Sequence, residues 1–260
     1  MTVVCVVGTT HPLAFAGLTF SMLALAADGL RPVAVVAGVT AQDAEGLTAR
    51  RALEPELIAA QFDALRNAGV AAFHVGALLS GEAVRAVAAG VARFPGVPVV
   101  VDPVIAATGG ASLADAAAVR ALRETLVPRA TVVTPNLDEA EALLERSVRD
   151  VPAMEEAAAA LRALGARAAL VKGGHLDGEA IDVLAGAGGT RMLAGARLTG
   201  TMRGTGDLLA STIAGKLAAG TPLEDAVEAA RGRVRQAIAH GVPFSGTRVA
   251  AFPGERAAGV

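Results

Sequence analysis

Six short runs of small and β-branched residues recur along this chain, with longer Ala/Leu-rich stretches between them, and this alternation leaves few ways to fold. The runs are Thr2–Val7, Pro32–Val39, Ala71–Val75, Val97–Val101, Ala130–Val133 and Ala168–Val171. They are nearly continuous in Val and Ala, as expected of strands buried on both faces of a parallel sheet. The intervening stretches predict helices over Ala16–Ala27, Pro55–Ala68, Gly81–Ala92, Ala114–Val127, Leu137–Leu144 and Met154–Leu164. Alternating strands and helices place the chain in the α/β class, a mainly parallel sheet with helices on both sides. From Ala180 to Leu198 the pattern changes. Two short apolar runs flank Gly186–Gly189, which predicts an antiparallel hairpin. Two more helices follow, Leu208–Ala219 and Leu223–His240.

The chain has 260 residues, 53% of them hydrophobic, enough for one large core and one α/β domain spanning residues 1–260. The last stretch, about 241–260, is rich in Gly, Pro and Arg and predicts a loosely held C-terminal extension. A net charge of −2 offers no basic footprint, which excludes nucleic acid as the expected partner. Cys5 stands alone and cannot form an internal disulfide, which fits a reducing cytoplasm. The N-terminus has no basic region before its apolar run, so no signal peptide is expected, and no stretch reads as a membrane span. Four scattered histidines lack zinc-ligand spacing. The loops of P-loop and dinucleotide-binding proteins are missing, as is the nucleophile elbow of hydrolases.

Thr199–Ser211, reading TGTMRGTGDLLAS, carries the sharpest chemical signal. Gly204 and Gly206 lack a Cβ, so the backbone there can bend tightly and approach a ligand. The GTGD falls on the first turn of a helix, where unpaired N–H groups and a partial positive charge suit a phosphate. Asp207 is a carboxylate in that same cradle. Such a group is awkward beside an anion unless it takes a proton, and the pairing suggests phosphoryl transfer to a hydroxyl. The plainer alternative is that Asp207 caps the helix and the glycines make a turn. Three polar clusters then fall just beyond three buried strands: Asp102, Thr134–Asn136 and Lys172–His175. Ligands of open α/β sheets bind at those strand ends.

At this point the chain resembles a family: the hydroxymethylpyrimidine and phosphomethylpyrimidine kinases of thiamine biosynthesis, within the ribokinase-like small-molecule kinases. The resemblance is carried by VVVDPVIAATGGASL (Val99–Leu113), VVTPNLDEAEALL (Val132–Leu144), ALVKGGHLDGEAIDVL (Ala169–Leu184) and GTGDLLASTIAGKLAAGTPLEDAV (Gly204–Val227). VAVVAGVTAQDAEG (Val33–Gly46) matches more weakly, and the whole covers roughly Val33 to His240. It implies a ribokinase-like three-layer α/β/α fold with a small antiparallel hairpin, and a homodimer. Three departures stand out. Gly8–Met22 reads GTTHPLAFAGLTFSM, without the family's aspartate and paired glycines. Asp207 stands where the pyrimidine kinases usually have cysteine, and Arg203 where a histidine usually precedes the GTG. Aspartate at that place is commoner in sugar kinases of the superfamily and in one class of pyridoxal kinase.

The resemblance assigns roles residue by residue. Asp207 becomes the general base, and Gly204, Thr205 and Gly206 present amides to the transferring phosphoryl. Asp102 and Glu139 become Mg²⁺ residues acting through water; for Glu139 a helix first-turn role is the alternative. Asn136, Lys172, Gly173, Thr108 and Arg203 fall on the nucleotide side, with Thr108 and Gly109–Gly110 in a flap over the phosphates. Gly8, Gln42, His74 and Gly76 fall on the acceptor side, Gln42 offering a donor and an acceptor to an aminopyrimidine edge. For His74 a partly buried, hydrogen-bonded histidine is the competing account. The implied activity is ATP- and Mg²⁺-dependent phosphorylation of hydroxymethylpyrimidine or its monophosphate, a small heteroaromatic alcohol. Pyridoxal or a related B6 alcohol is the near alternative, favoured by GTGD, and a non-catalytic ligand-binding relative the distant one.

Overall fold

The computed structural model describes residues 1–107, 110–174, 179–198 and 202–250. The strands are β1 (Val3–Thr10), β2 (Arg31–Gln42), β3 (Leu47–Ala52), β4 (Val70–Val75), β5 (Val99–Val101), β6 (Val132–Val133), β7 (Ala169–Gly173), β8 (Ala180–Gly186) and β9 (Gly189–Gly195). They form one nine-stranded sheet in the order β3-β2-β1-β4-β5-β6-β7-β8-β9. The six strands from β2 to β7 in that order run parallel; β3 closes one edge and the β8–β9 hairpin the other, all antiparallel.

Because side chains alternate across a strand, each central strand feeds two cores. Cys5 and Val7 of β1, with Phe73, Val101 and Val171, face α2 (Pro55–Ala64), α3 (Gly81–Val91), α4 (Ala116–Ala121), α5 (Leu137–Leu144) and α6 (Val151–Ala163). Val4 and Val6, with Ala72, Val100 and Leu170, face α1 (Gly17–Ala27), α7 (Thr205–Ala218) and α8 (Leu223–His240). Phe62, Phe73 and Phe94 pack as a cluster on the first side, ring centroids 5.1–6.4 Å apart. Phe62 and Phe73 are fully enclosed, each burial contributing about 2–3 kcal/mol. Burial pushes the Cys5 thiol up to about 12, so it is an inert core residue.

Several boundaries differ from the expectations, for physical reasons. β1 and β2 run three residues further, to Thr10 and Gln42. The extension of β2 is paired by β3, an unforeseen strand whose LTARRA sequence is mostly exposed and shows no apolar run. Edge strands are held by backbone bonds and need no buried face. The helix expected over Ala114–Val127 is α4, capped by the Asp115 side chain on the Ala118 amide, then a π-turn over Leu122–Leu126 and a 3-10 turn at Val127–Arg129. The expected tail begins instead with a hairpin of β10 (Val242–Phe244) and β11 (Thr247–Val249), with Val249 and Ala250 buried. Among the described residues, no helix is long and apolar enough to cross a membrane.

Candidate active site

The C-terminal ends of the parallel strands carry the polar residues. Asp102 leaves β5 with its amide bound to the Val75 carbonyl, and is 2% exposed. Its Oδ1 accepts from the Thr134 hydroxyl just beyond β6 (3.1 Å) and from Lys172 Nζ in β7 (2.9 Å). Three adjacent strands thus build one buried polar knot. Burial would lower the Lys172 pKa, but the Asp102 and Glu139 carboxylates outweigh it and hold the ammonium firmly charged.

The first turn of α7 is laid against this knot. Gly204 precedes it with φ +79°, a conformation glycine adopts without strain, and a Cβ there would sit 2.7 Å from the Phe15 carbonyl. The helical ladder opens with the Leu208 amide on the Gly204 carbonyl, so the amides of Thr205 and Gly206 have no intrahelical acceptor. Gly206 approaches the ion pair closely: a Cβ on it would stand 2.9 Å from Asp102 Oδ2 and 3.5 Å from Lys172 Nζ. The glycines bring helix amides and an ammonium to one place, a cradle for transferring phosphate.

Asp207 is buried in that turn. Its Oδ2 accepts from the Gly17 amide at 2.9 Å, while Oδ1 lies 3.8 Å from the point where a Cβ on Gly76 would be. Ala16, the N-cap of α1, has no side chain able to cap, so Asp207 of α7, on the same face of the sheet, takes up the first-turn amide of α1. Burial pushes the Asp207 carboxyl up to about 7, with the Asp102 charge adding and the Gly17 amide and Lys172 opposing. Such a group is poised between acid and base at neutral pH.

Glu139 and Asn136 form a reciprocal capping box at the start of α5: Asn136 Oδ1 accepts from the Glu139 amide, and Glu139 Oε2 from the Asn136 amide. The helix-cap role foreseen as an alternative is therefore occupied. Glu139 is nonetheless buried and close enough to feel the knot: burial pushes it up to about 7, Lys172 opposing and Asp102 adding. Three buried carboxylates thus surround one lysine. That excess of negative charge suits a divalent cation. No group of three His, Cys, Asp or Glu among the described residues forms an all-protein cage, so these carboxylates could hold a divalent cation only together with water or ligand oxygens.

The remaining expected site residues divide. Gly8 and Gly76 come together, a Cβ on Gly8 lying 3.6 Å from the carbonyl of Ala77. His74 sits behind Gly76, with its Nε2 3.9 Å from the Cβ point of that glycine. It is 1% exposed, so the partly buried, hydrogen-bonded histidine of the competing account does not describe it: neither ring nitrogen finds a hydrogen-bond partner among the described residues. Burial lowers it to about 4, leaving a neutral ring at pH 7. Gln42 ends β2 opposite Leu47, at the turn into β3. The Arg203 guanidinium lies 5.0 Å from the Phe15 ring centroid and donates to the Ala44 carbonyl at 2.8 Å. Gly173 owes its lack of a side chain to the sheet, since a Cβ would come within 2.0 Å of the Ile181 carbonyl of β8. Gly173→Ala is therefore expected to cost roughly 2–4 kcal/mol of stability in thermal or denaturant unfolding. Thr108, Gly109 and His175 lie outside the described residues. Two contributors went unassigned in the sequence. Thr134 was visible as a polar residue after a buried run, whereas Gly17 meets Asp207 across 190 positions and left no local signal.

A parallel sheet with helices on both sides, amides of a glycine-led helix and a buried carboxylate at the strand ends define a small-molecule kinase of the ribokinase-like class. The family model for phosphomethylpyrimidine kinase matches residues 13–250, and the chain belongs to that family and is a phosphotransferase. It is 40% identical over 227 residues to the hydroxymethylpyrimidine/phosphomethylpyrimidine kinase of Rhizobium meliloti, covering 86% of this chain and 85% of that one. It is 41% identical over 207 residues to the thiamine biosynthesis bifunctional protein ThiED of Geobacter sulfurreducens, 78% of this chain but 42% of that longer protein. The fold matches the crystal structure of an ADP complex of Bacillus subtilis pyridoxal kinase with a TM-score of 0.89 at 25% identity, covering 97% of each chain.

Proposed function

We propose that this chain transfers the γ-phosphoryl group of ATP to hydroxymethylpyrimidine or to its monophosphate in thiamine biosynthesis. The observation that carries the chemistry is Asp207, fixed through Oδ2 by the Gly17 amide with Oδ1 left over Gly76, beside the amides of α7. The acceptor hydroxyl attacks the γ-phosphorus and gives its proton to Asp207 Oδ1, the bond to the β-phosphate oxygen breaks, and ADP leaves. The amides of Gly204, Thr205 and Gly206 and the Lys172 ammonium take up the charge that develops on the phosphoryl oxygens. Mg²⁺ would be held through water by Asp102 and Glu139 and would supply charge neutralisation to the nucleotide phosphates. Asn136 sets the orientation of Glu139 through the capping box, and Thr108 belongs to the proposed phosphate flap.

Gly8 and Gly76 form the floor of the acceptor side, Gln42 reads the ring edge, and His74 supports the floor from behind as a neutral ring. The protein acts in the cytoplasm as a homodimer of single-domain chains, which light scattering checks. ATP consumption with Mg²⁺ against hydroxymethylpyrimidine, its monophosphate, pyridoxal, pyridoxine and ribose tests the assignment. Selective turnover of the pyrimidines is expected. Selective turnover of a B6 vitamer would overturn the choice of acceptor in favour of the second reading, which Asp207 itself and the match to a pyridoxal kinase fold support.

A further inference from the structure

Asp207, Arg203 and the segment Gly8–Met22 meet in the structure. Asp207 binds the Gly17 amide, and Arg203 stacks on Phe15; Gly17 and Phe15 both belong to the divergent segment Gly8–Met22. Phe15 is 2% exposed and also meets the His11 ring, tilted at 52° with 4.5 Å between centroids. His11 is held in turn by its Nε2 on the Ala16 carbonyl, and burial lowers its basicity, so it stands as a neutral neighbour of the cation. From this stacked position the Arg203 guanidinium reaches the Ala44 carbonyl, in the turn between β2 and β3. Its own amide donates to the Arg248 carbonyl of β11, and Gly246 of that hairpin lies against Ala44 as well, a Cβ on it coming 3.2 Å from Ala44 Cβ.

We propose that Arg203 is a positioning residue for the acceptor, a latch that fixes the β2–β3 turn and so sets where Gln42, the last residue of β2, stands. An arginine fits this task because its planar fork stacks on an aromatic face and donates at the same time. Its placement directly before Gly204 ties the turn to the phosphate cradle itself. Asp43 completes the turn internally, its Oδ1 accepting from the Glu45 and Gly46 amides, so the turn is a preformed body with Arg203 gripping its outer carbonyl. The inference rests on the proposed acceptor side, where Gln42 reads the ring.

The test combines steady-state kinetics with hydrogen exchange on the full chain. In Arg203→Ala, exchange of the amides at 43–46 is expected to speed up at least tenfold. The acceptor KM is expected to rise about tenfold, the ATP KM to stay within twofold, and kcat to fall less than the acceptor KM rises. Arg203→Lys, which keeps charge without the fork, and Arg203→His, which keeps a planar ring without the fork's reach, are both expected to behave like the alanine variant. Should Arg203→Ala fold poorly, Phe15→Leu removes the aromatic face while keeping apolar volume, and the same exchange shift is expected. Unchanged exchange at 43–46 would overturn the latch, as would rescue by lysine or a rise in the ATP KM alone. The exchange measurement needs no turnover, so it decides the latch even if the pyrimidines prove not to be substrates.

Discussion

Asp207→Asn is expected to lower kcat for hydroxymethylpyrimidine by 10²–10⁴-fold, the usual contribution of a positioned general base. The isosteric amide can still accept from the Gly17 amide through its carbonyl oxygen, so α1 keeps its cap and the loss reports on proton transfer. The same substitution is expected to cost much less when the acceptor is the monophosphate. A phosphate oxygen attacking the γ-phosphorus is already ionised near neutral pH and needs no base, whereas the hydroxyl must lose a proton. Initial rates on the two acceptors measure this directly. Equal losses on both would show that Asp207 acts on the shared phosphoryl group and is no base.

The same carboxyl sets a pH signature of defined sign. With Asp207 raised to about 7, wild-type kcat/KM for the hydroxyl acceptor should climb from pH 6 to 8 as the base ionises. Stability should move in the opposite direction. Between the unfolded value near 3.8 and the folded value near 7, the native state holds more protons than the unfolded chain, so stability falls as pH rises through this window. Glu139, also raised to about 7, adds to the fall. Asparagine cannot ionise, so the variant should be more stable than wild type at pH 8, by on the order of a few kcal/mol. An inactive enzyme that melts higher is the expected outcome, and matched melts at pH 5 and pH 8 test it.

The architecture was legible because buried parallel strands write themselves as Val/Ala runs, and the polar residues that break those runs mark the ligand edge. Asp102, Lys172 and Asp207 were visible in that way, at strand ends or on a glycine-led helix. What was hidden depends on pairings between distant segments. β3 is an exposed, arginine-bearing strand held by backbone bonds to β2, so no hydrophobic period announces it. Arg203 could be read only as a positive charge near the phosphates. Its stacking on Phe15 follows from the course of the loop ahead of α1, which no local pattern encodes. Gly173 carries a second constraint: a glycine beside a lysine at a strand end suggests a ligand, and β8 also fills the space its side chain would take.

Lys172→Met is expected to be both inactivating and strongly destabilising at pH 8. The lysine is the cation paired with Asp102 in the knot, 2.9 Å from its Oδ1, and its charge also restrains the pKa values of Glu139 and Asp207. Removing one member of a buried pair leaves the other charge uncompensated, a loss of about 3–5 kcal/mol, far more than the net worth of the pair. The variant should recover part of that loss below pH 6, where the carboxyls can take protons. Adding Asp102→Asn to Lys172→Met removes the orphaned charge, so the double variant should regain most of the stability at pH 8 and none of the activity. A double-mutant cycle in thermal unfolding and in turnover separates the two effects. If the second substitution deepens the instability, the knot is held by packing and by Thr134, and the charge account fails. Recovery of folding without turnover would show that the charges of this pair serve activity, and a double variant more stable than wild type would show that the pair costs the fold.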